Sequence, residues 1–430
     1  MWTHKLFLEI AINYDIMKIK NPKFSENIYW ILTLFGTAVG AGILFLPIQA
    51  GAGGIWVLIT ASLLVYPMVY PSQRLYERIV NNTPKPIDYT GAVKLFLGKR
   101  TGLIINVLFV IFLFVILVAY SIGLTNDLGD LFRKNGYNKF ILFENPYLSL
   151  VLLVSIFTIL KYGQQLLIKV LGFLSVLLIV LLFTVSLLLM GMWDLDRLLE
   201  FPSFTMFIKQ LFMVFPILIM SFMFFSVISP MVISFRSQGA STSEVEKRSS
   251  RILKITVILL IVFVLFFVFS CIFALDSATL KKAEIANISV LELLGDTVNK
   301  PVLKNLGPAI SLIALTTSFF GVGLGFRSSS LELISGLLKT KQVDKKRAVS
   351  EWIFYPISIA LLWLITLSNV NIIKLFGELI APLNSLFLYF VPVIIVFKQP
   401  AFKKYRTTGT IFIFLSGVVL ILSYFIGRSI

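Results

Sequence analysis

The sequence predicts an all-α polytopic membrane protein: eleven transmembrane helices, arranged as two five-helix repeats of inverted topology plus one C-terminal helix. Three observations predict it. Of 430 residues, 58% are hydrophobic and only 14% are charged, where a soluble chain carries about a quarter. Apolar runs of membrane-spanning length recur from Ile28 to Ile426, and roughly 20 helical residues cross a bilayer core. Two of these runs, the first and the sixth, are interrupted by glycine, serine or proline.

Taken in order, residues 1–27 form an N-terminal tail. Within it, Met17-Lys18-Ile19-Lys20 reads as an alternative chain start, which leaves residues 1–16 as a weakly structured extension. No cleavable signal peptide is expected, because the first long apolar run has no clear cleavage site. The first repeat, 28–191, holds spans at 28–50, 54–72, 103–125, 147–161 and 168–191. The second, 207–397, holds spans at 207–233, 252–275, 308–326, 352–368 and 372–397, and the eleventh helix is 408–427. The long loop from Asp276 to Gly307 contains ANISVLELLGD, whose pattern suits a short amphipathic helix lying on the outer surface. No polar stretch is long enough for a soluble domain.

Charge gives the orientation. The net charge of +17 would suggest a polyanionic partner in a soluble protein, but here the cations lie in short loops between apolar runs. With the N-terminus inside, inner segments hold 26 Lys and Arg and outer segments hold 9. Lys and Arg accumulate in cytoplasmic loops, so the N-terminus is expected inside and, with an odd count of spans, the C-terminus outside. The one cysteine, Cys271, lies in an apolar run and forms no intramolecular disulfide.

The interruptions carry the functional signal. GTAVGAGILFLP, from Gly36 to Pro47, breaks the first span with three glycines and a proline. Gly36 and Gly40 have the small-xxx-small spacing of close helix packing, but FFSVISPMVISF, from Phe224 to Phe235, interrupts the sixth span at the matching place in the second repeat. In lipid every backbone polar group needs a partner. Two broken helices at matching positions supply freed amides and carbonyls at the bilayer midplane, suited to a carboxylate, an ammonium group and a cation. The candidate substrate-binding residues are Ala38, Val39, Gly40, Ala41 and Gly42, with Ser226 and Ser229 across the gap and Tyr120 and Phe225 facing it.

Other polar groups within spans are few. Thr316, Thr317 and Ser318 form a hydroxyl cluster in the eighth span. Thr317 and Ser318, with Gly36, are candidate hard-oxygen ligands for a coupling ion. Glu378 is the most conspicuous acid in a span and a candidate proton site, although Lys374, four residues earlier, can pair with it. Gly321-Val322-Gly323-Leu324-Gly325 lies inside a span and follows no strand, so it reads as helix packing and not as a nucleotide loop. No GxxxxGK[ST] motif exists, which argues against an ATP-driven pump. The only histidine is His4, and no paired carboxylates converge in a span, so a membrane enzyme is disfavoured. Repeated polar rings, which line channels, are absent too. No cofactor, metal, nucleic acid or obligate protein partner is called for; the expected partners are a small carboxylate-bearing solute and the bilayer.

TAVGAGILFLPIQAGAGG resembles the first-span signature of the hydroxy/aromatic amino acid permeases, within the amino acid–polyamine–organocation superfamily. SPMVISF, from Ser229 to Phe235, resembles the sixth-span motif. FSCIFALDSATLKKAEIANISVL, SFFG and the FKQPAFKKYR tail of the tenth span continue the likeness, and the serine/threonine branch fits better than the aromatic one. The resemblance implies a LeuT-like fold and import of serine or threonine by symport with a proton or sodium ion, with an aromatic or other neutral amino acid as the alternative. It also implies a bacterial inner membrane. Three features depart from the branch pattern: Ser226 and Val227 stand where an asparagine is expected, Thr317 stands where a lysine is expected, and the tenth-span glutamate appears as Glu378, one place displaced when aligned on Pro382.

Overall fold

A computed structural model of the chain describes residues 22–134, 146–162, 164–297, 301–338 and 343–429. The extension 1–16 lies outside them. Among the described residues the chain is helical throughout. Helices α1 (Pro22–Ala38) and α2 (Ala41–Gly53) meet at a 48° bend and together make the first span. They are followed by α3 (Ile55–Asn81), the short α4 (Tyr89–Leu97), α5 (Lys99–Lys134), α6 (Tyr147–Tyr162) and α7 (Gln164–Met190). The second half runs α8 (Phe204–Met220), α9 (Phe225–Ser237), α10 (Thr242–Ala274), the short α11 (Ser277–Ala286) and α12 (Val290–Thr297), α13 (Pro301–Leu337) and α14 (Val343–Thr366). It ends in α15, a composite helix over Ile372–Lys398, and α16 (Thr408–Ser429).

Eight helices are long and apolar enough to cross a membrane, and the bent pair α1–α2 makes a ninth. Two shorter apolar helices, α6 and the Thr408–Ser423 part of α16, stand where the fourth and eleventh spans are expected. Several helices outrun their apolar windows: α3 continues to Asn81, α10 begins at Thr242, α13 reaches Leu337 and α14 begins at Val343. Each overrun lies at the end that the charge count assigns to the inside. The overruns of α3 and α10 are tied by ions, with Glu246 receiving Arg74 at 3.4 Å, Arg78 at 3.0 Å and the Tyr405 hydroxyl at 3.0 Å.

The spans pack as two groups. The halves of the broken spans pack on α3 and α10, while α5 and α13 form the most extensive contact of the molecule and take α6 and α14 with them. Helix α7 joins the groups by touching α1, α10 and α13. Small residues permit the close approaches: a Cβ on Gly321 of α13 would come within 2.6 Å of Thr37 Cγ2 on α1.

Three expectations change. The break in the sixth span falls at Ser221–Phe224, before the Ser-Pro motif, and Ser226, Ser229 and Pro230 lie within α9. Pro230 lies inside α9, where it cannot donate to the Ser226 carbonyl four residues back. The segment ANISVLELLGD does form a helix, α12, but it does not lie on the surface. Val290, Leu291 and Leu294 are fully buried, and the carbonyl of Leu291 would lie 2.3 Å from a Cβ on Gly307 of α13. Glu292 of the same helix is buried with them, at 1% exposure. The glutamate-bearing part of α15 is also irregular. Ala381 N and Val391 N each reach back five residues, to Phe376 O and Leu386 O. Both wide stretches end just before a proline, Pro382 or Pro392, which cannot donate to the carbonyl four residues back.

Candidate functional site

The break in the first span is short. Helix α1 closes with Val39 N on Phe35 O at 3.0 Å, and Gly40 then adopts φ −140°, ψ −145°. The first internal bond of α2 is Ile43 N to Gly40 O at 3.0 Å, so the amides of Ala41 and Gly42 head the helix and point out of its start. No side chain caps that end. The break in the sixth span leaves the backbone of Phe222 and Phe224 to be satisfied from elsewhere. Gln73 of α3 does both: its Nε2 donates to Phe222 O at 3.1 Å and its Oε1 accepts from Phe224 N at 3.1 Å. Gln73 is fully buried. It escaped the sequence reading because it lies beyond the apolar window of the second span, though a lone buried-register Gln between Ser72 and Arg74 was the available signal.

The two breaks meet. A Cβ on Gly42 would lie 2.8 Å from Ser221 Oγ and 3.0 Å from Ser221 Cα. Gly42 is therefore the point where the head of α2 rests on the unwound turn of the sixth span. A Cβ on Gly40 would come within 2.6 Å of Ser318 Cβ and 3.2 Å of Tyr120 Cε1, and one on Gly36 would come within 3.3 Å of Ser175 Cβ and 3.6 Å of Thr317 Cβ. Ser318 Oγ donates to Gly36 O at 3.1 Å, and Tyr120 hydrogen-bonds Ser318. The structure thus brings Gly36, Gly40, Tyr120, Thr317 and Ser318 to one place, with Ser175 added from α7. Thr317 Oγ1 also bonds its own helix, to Ala314 O at 2.9 Å. Ala38 and Val39 are buried in the same wall.

Phe225, Ser226 and Ser229 sit one level further in. Phe225 stacks on Phe112 at 5.4 Å and 8°, and Phe112 stacks on Phe387 of α15 at 5.4 Å. Tyr76 and Tyr89 stack at 4.1 Å beside them. Tyr89 donates to Phe387 O at 2.7 Å, and burial holds its phenol well above the usual range, so the donor stays protonated. Ser229 Oγ shares a hydrogen bond of 3.1 Å with the Tyr76 hydroxyl. A small cavity of about 10 Å³, room for a single water, touches Ser226, Ser229, Tyr76 and Asp88 beside this aromatic floor. Ser226 and Ser229 therefore line the floor and the space beside it, not the broken turn itself.

Glu378 stands apart from this cluster. It lines a cavity of about 160 Å³ with Lys374 and Gly377, with Gln49 of α2, and with Met213, Pro216 and Ile217 of α8. That cavity lies between α2, α8 and α15. Among the described residues no group of three or more His, Cys, Asp or Glu is placed to hold a metal ion.

Two broken helices that meet through a glycine are the arrangement in which inverted-repeat carriers hold their substrate. The comparisons with known proteins narrow this. The profile of the tryptophan/tyrosine permease family matches residues 26–426, and the chain belongs to that family. It is 30% identical over 410 residues to the serine transporter SdaC of Escherichia coli K12, covering 92% of this chain and 93% of that one. It is 29% identical over 413 residues to a serine transporter of Escherichia coli O157:H7, covering 94% and 92%. It is also 28% identical over 402 residues to the inner membrane transport protein YqeG of Escherichia coli K12, covering 92% and 97%. Among solved structures, a manganese transporter of Eremococcus coleocola matches with TM-score 0.55 at 14% identity, covering 94% of this chain and 86% of that one. Mhp1, a nucleobase-cation-symport-1 transporter in a closed conformation, matches with TM-score 0.55 at 12% identity, covering 94% and 92%. These two likenesses show the fold, which is LeuT-like.

Proposed function

We propose that the protein is a secondary active transporter that imports serine or threonine across a bacterial inner membrane by cation symport. The observation that carries the reading is the meeting of the two breaks at Gly42 and Ser221, beside the Gly36–Tyr120–Ser318 cluster. The amides of Ala41 and Gly42 receive the substrate carboxylate at the head of α2, where the helix dipole favours an anion. The carbonyl ends of α1, at Ala38 and Val39, and of α8 receive the ammonium group. Phe225 closes the site from below, with Ser226 and Ser229 lining the exit beneath it. The serine transporters named above support the substrate class.

The coupling ion sits at Gly36, Thr317 and Ser318. Carbonyl and hydroxyl oxygens without a fixed charge suit a hard cation such as sodium, and the position has Thr317 where the branch pattern has a lysine. The alternative carrier of charge is a proton at Glu378, which lines the cavity between α2, α8 and α15. The chain has eleven spans in two repeats, 28–191 and 207–397, followed by the helix 408–427, with the N-terminus inside and the C-terminus outside.

Uptake of labelled serine into proteoliposomes, with each of the other common amino acids as unlabelled competitor, tests the substrate. Serine or threonine should compete best and alanine poorly, because a site built to bond a hydroxyl rejects analogues lacking it. Best competition by tryptophan or tyrosine replaces the reading with an aromatic permease.

A further inference from the structure

One polar side chain inside the bundle has no role in the account above. Asn384 of α15 is 1% exposed, and neither its Oδ1 nor its Nδ2 has a hydrogen-bond partner among the described residues. Burying an amide without a partner costs about 1–3 kcal/mol by mutational measures, and most buried polar groups avoid it. The turn that carries it, Ala381–Asn384, packs on α5, α8 and α16. It lies between the two wide stretches Phe376–Ile380 and Ser385–Phe390, a local geometry that recurs at functional sites.

The contacts of this turn place it beside the site. It packs on α5, which carries Tyr120, and on α8, which leads into the broken turn of the sixth span. Three residues on, Phe387 stacks on Phe112, which stacks on Phe225, the first residue of α9. Backbone groups of the two breaks serve the ends common to all amino acids, which leaves the side chain to be read.

We propose that Asn384 recognises the hydroxyl of the substrate side chain. An amide offers both an acceptor and donors, and a hydroxyl accepts and donates, so one ligand group satisfies the orphaned pair. The proposal rests on the hydroxy amino acid reading of the site.

The test compares wild type with Asn384→Leu in two assays: serine and alanine competition in proteoliposomes, and Tm in detergent without substrate. Wild type should prefer serine to alanine by about tenfold or more. In Asn384→Leu the preference should collapse through loss of serine affinity, with alanine affinity unchanged. Its ligand-free Tm should hold or rise, because an apolar isostere removes an unsatisfied buried group. Asn384→Ala makes the same comparison should the leucine protein fail to insert. An unchanged serine-to-alanine ratio in an inserted variant overturns the proposal. So does a fall in ligand-free Tm with equal losses for both amino acids, which marks a structural amide. The wild-type arm separates the two claims. If wild type itself prefers an aromatic amino acid, the substrate reading fails and this inference with it. If wild type prefers serine and the variants do too, only this inference fails.

Discussion

At the scale of the residue, the account rests on groups that cannot be enlarged. Gly42→Val should abolish uptake while leaving insertion intact, because its Cβ would press on Ser221 Oγ at 2.8 Å and also on the Ser221 backbone at 3.0 Å, which cannot turn away. Uptake per milligram of inserted protein is the measurement, with a loss of at least about tenfold expected from misplacing the broken turn. Gln73→Leu should act differently. It orphans Phe222 O and Phe224 N together, which costs about 1–3 kcal/mol for each group, so Tm should fall along with transport. The glycines were legible in the sequence because they interrupt an apolar run. Gln73 and Ser221 were not, because their significance lies in partners 149 residues away or across the gap. Glu378 was legible as an acid in a span, but periodicity alone did not place it in a cavity apart from the broken turns.

At the scale of the element, the sequence pattern located spans well and breaks less well. Hydropathy reports where lipid is, so it found the apolar middles of α3, α10, α13 and α14 and missed the polar turns that extend them. The break of the sixth span lies just upstream of Ser226, at Ser221–Phe224, where Gln73 from another helix bonds Phe222 O and Phe224 N. The overruns of α3 and α10 make their own prediction. Glu246 joins Arg74 and Arg78 of α3 to Tyr405 ahead of α16. Glu246→Gln removes the charge that these two arginines share and should lower Tm, with a loss on the order of 1–3 kcal/mol for charge-assisted bonds at a partly exposed site. The loss should shrink little in high salt if the network is shielded from solvent, whereas a wholly surface network would lose its contribution there.

At the scale of the whole molecule, the two packed groups predict how access would alternate, with α1, α2, α3, α8, α9 and α10 expected to move as one body against α5, α6, α13 and α14. Rocking of one such body against another is the common mode for this architecture. Orientation is open to a direct check. After Cys271→Ala, single cysteines at Ser243 and Ser277, both exposed, should divide: a membrane-impermeant thiol reagent added outside cells should label Ser277→Cys and spare Ser243→Cys. The reverse pattern would invert the chain. The coupling ion is a property of this scale too. An inward sodium gradient at equal pH should drive accumulation that Thr317→Ala weakens, whereas accumulation driven by a pH gradient in sodium-free buffer would move the charge to Glu378. The most direct measurement of the central claim is serine uptake by the purified protein in proteoliposomes under an imposed cation gradient, wild type beside Gly42→Val. The account predicts saturable accumulation above equilibrium in wild type and none in the variant; flux that neither saturates nor exceeds equilibrium, or equal uptake by the variant, would contradict it.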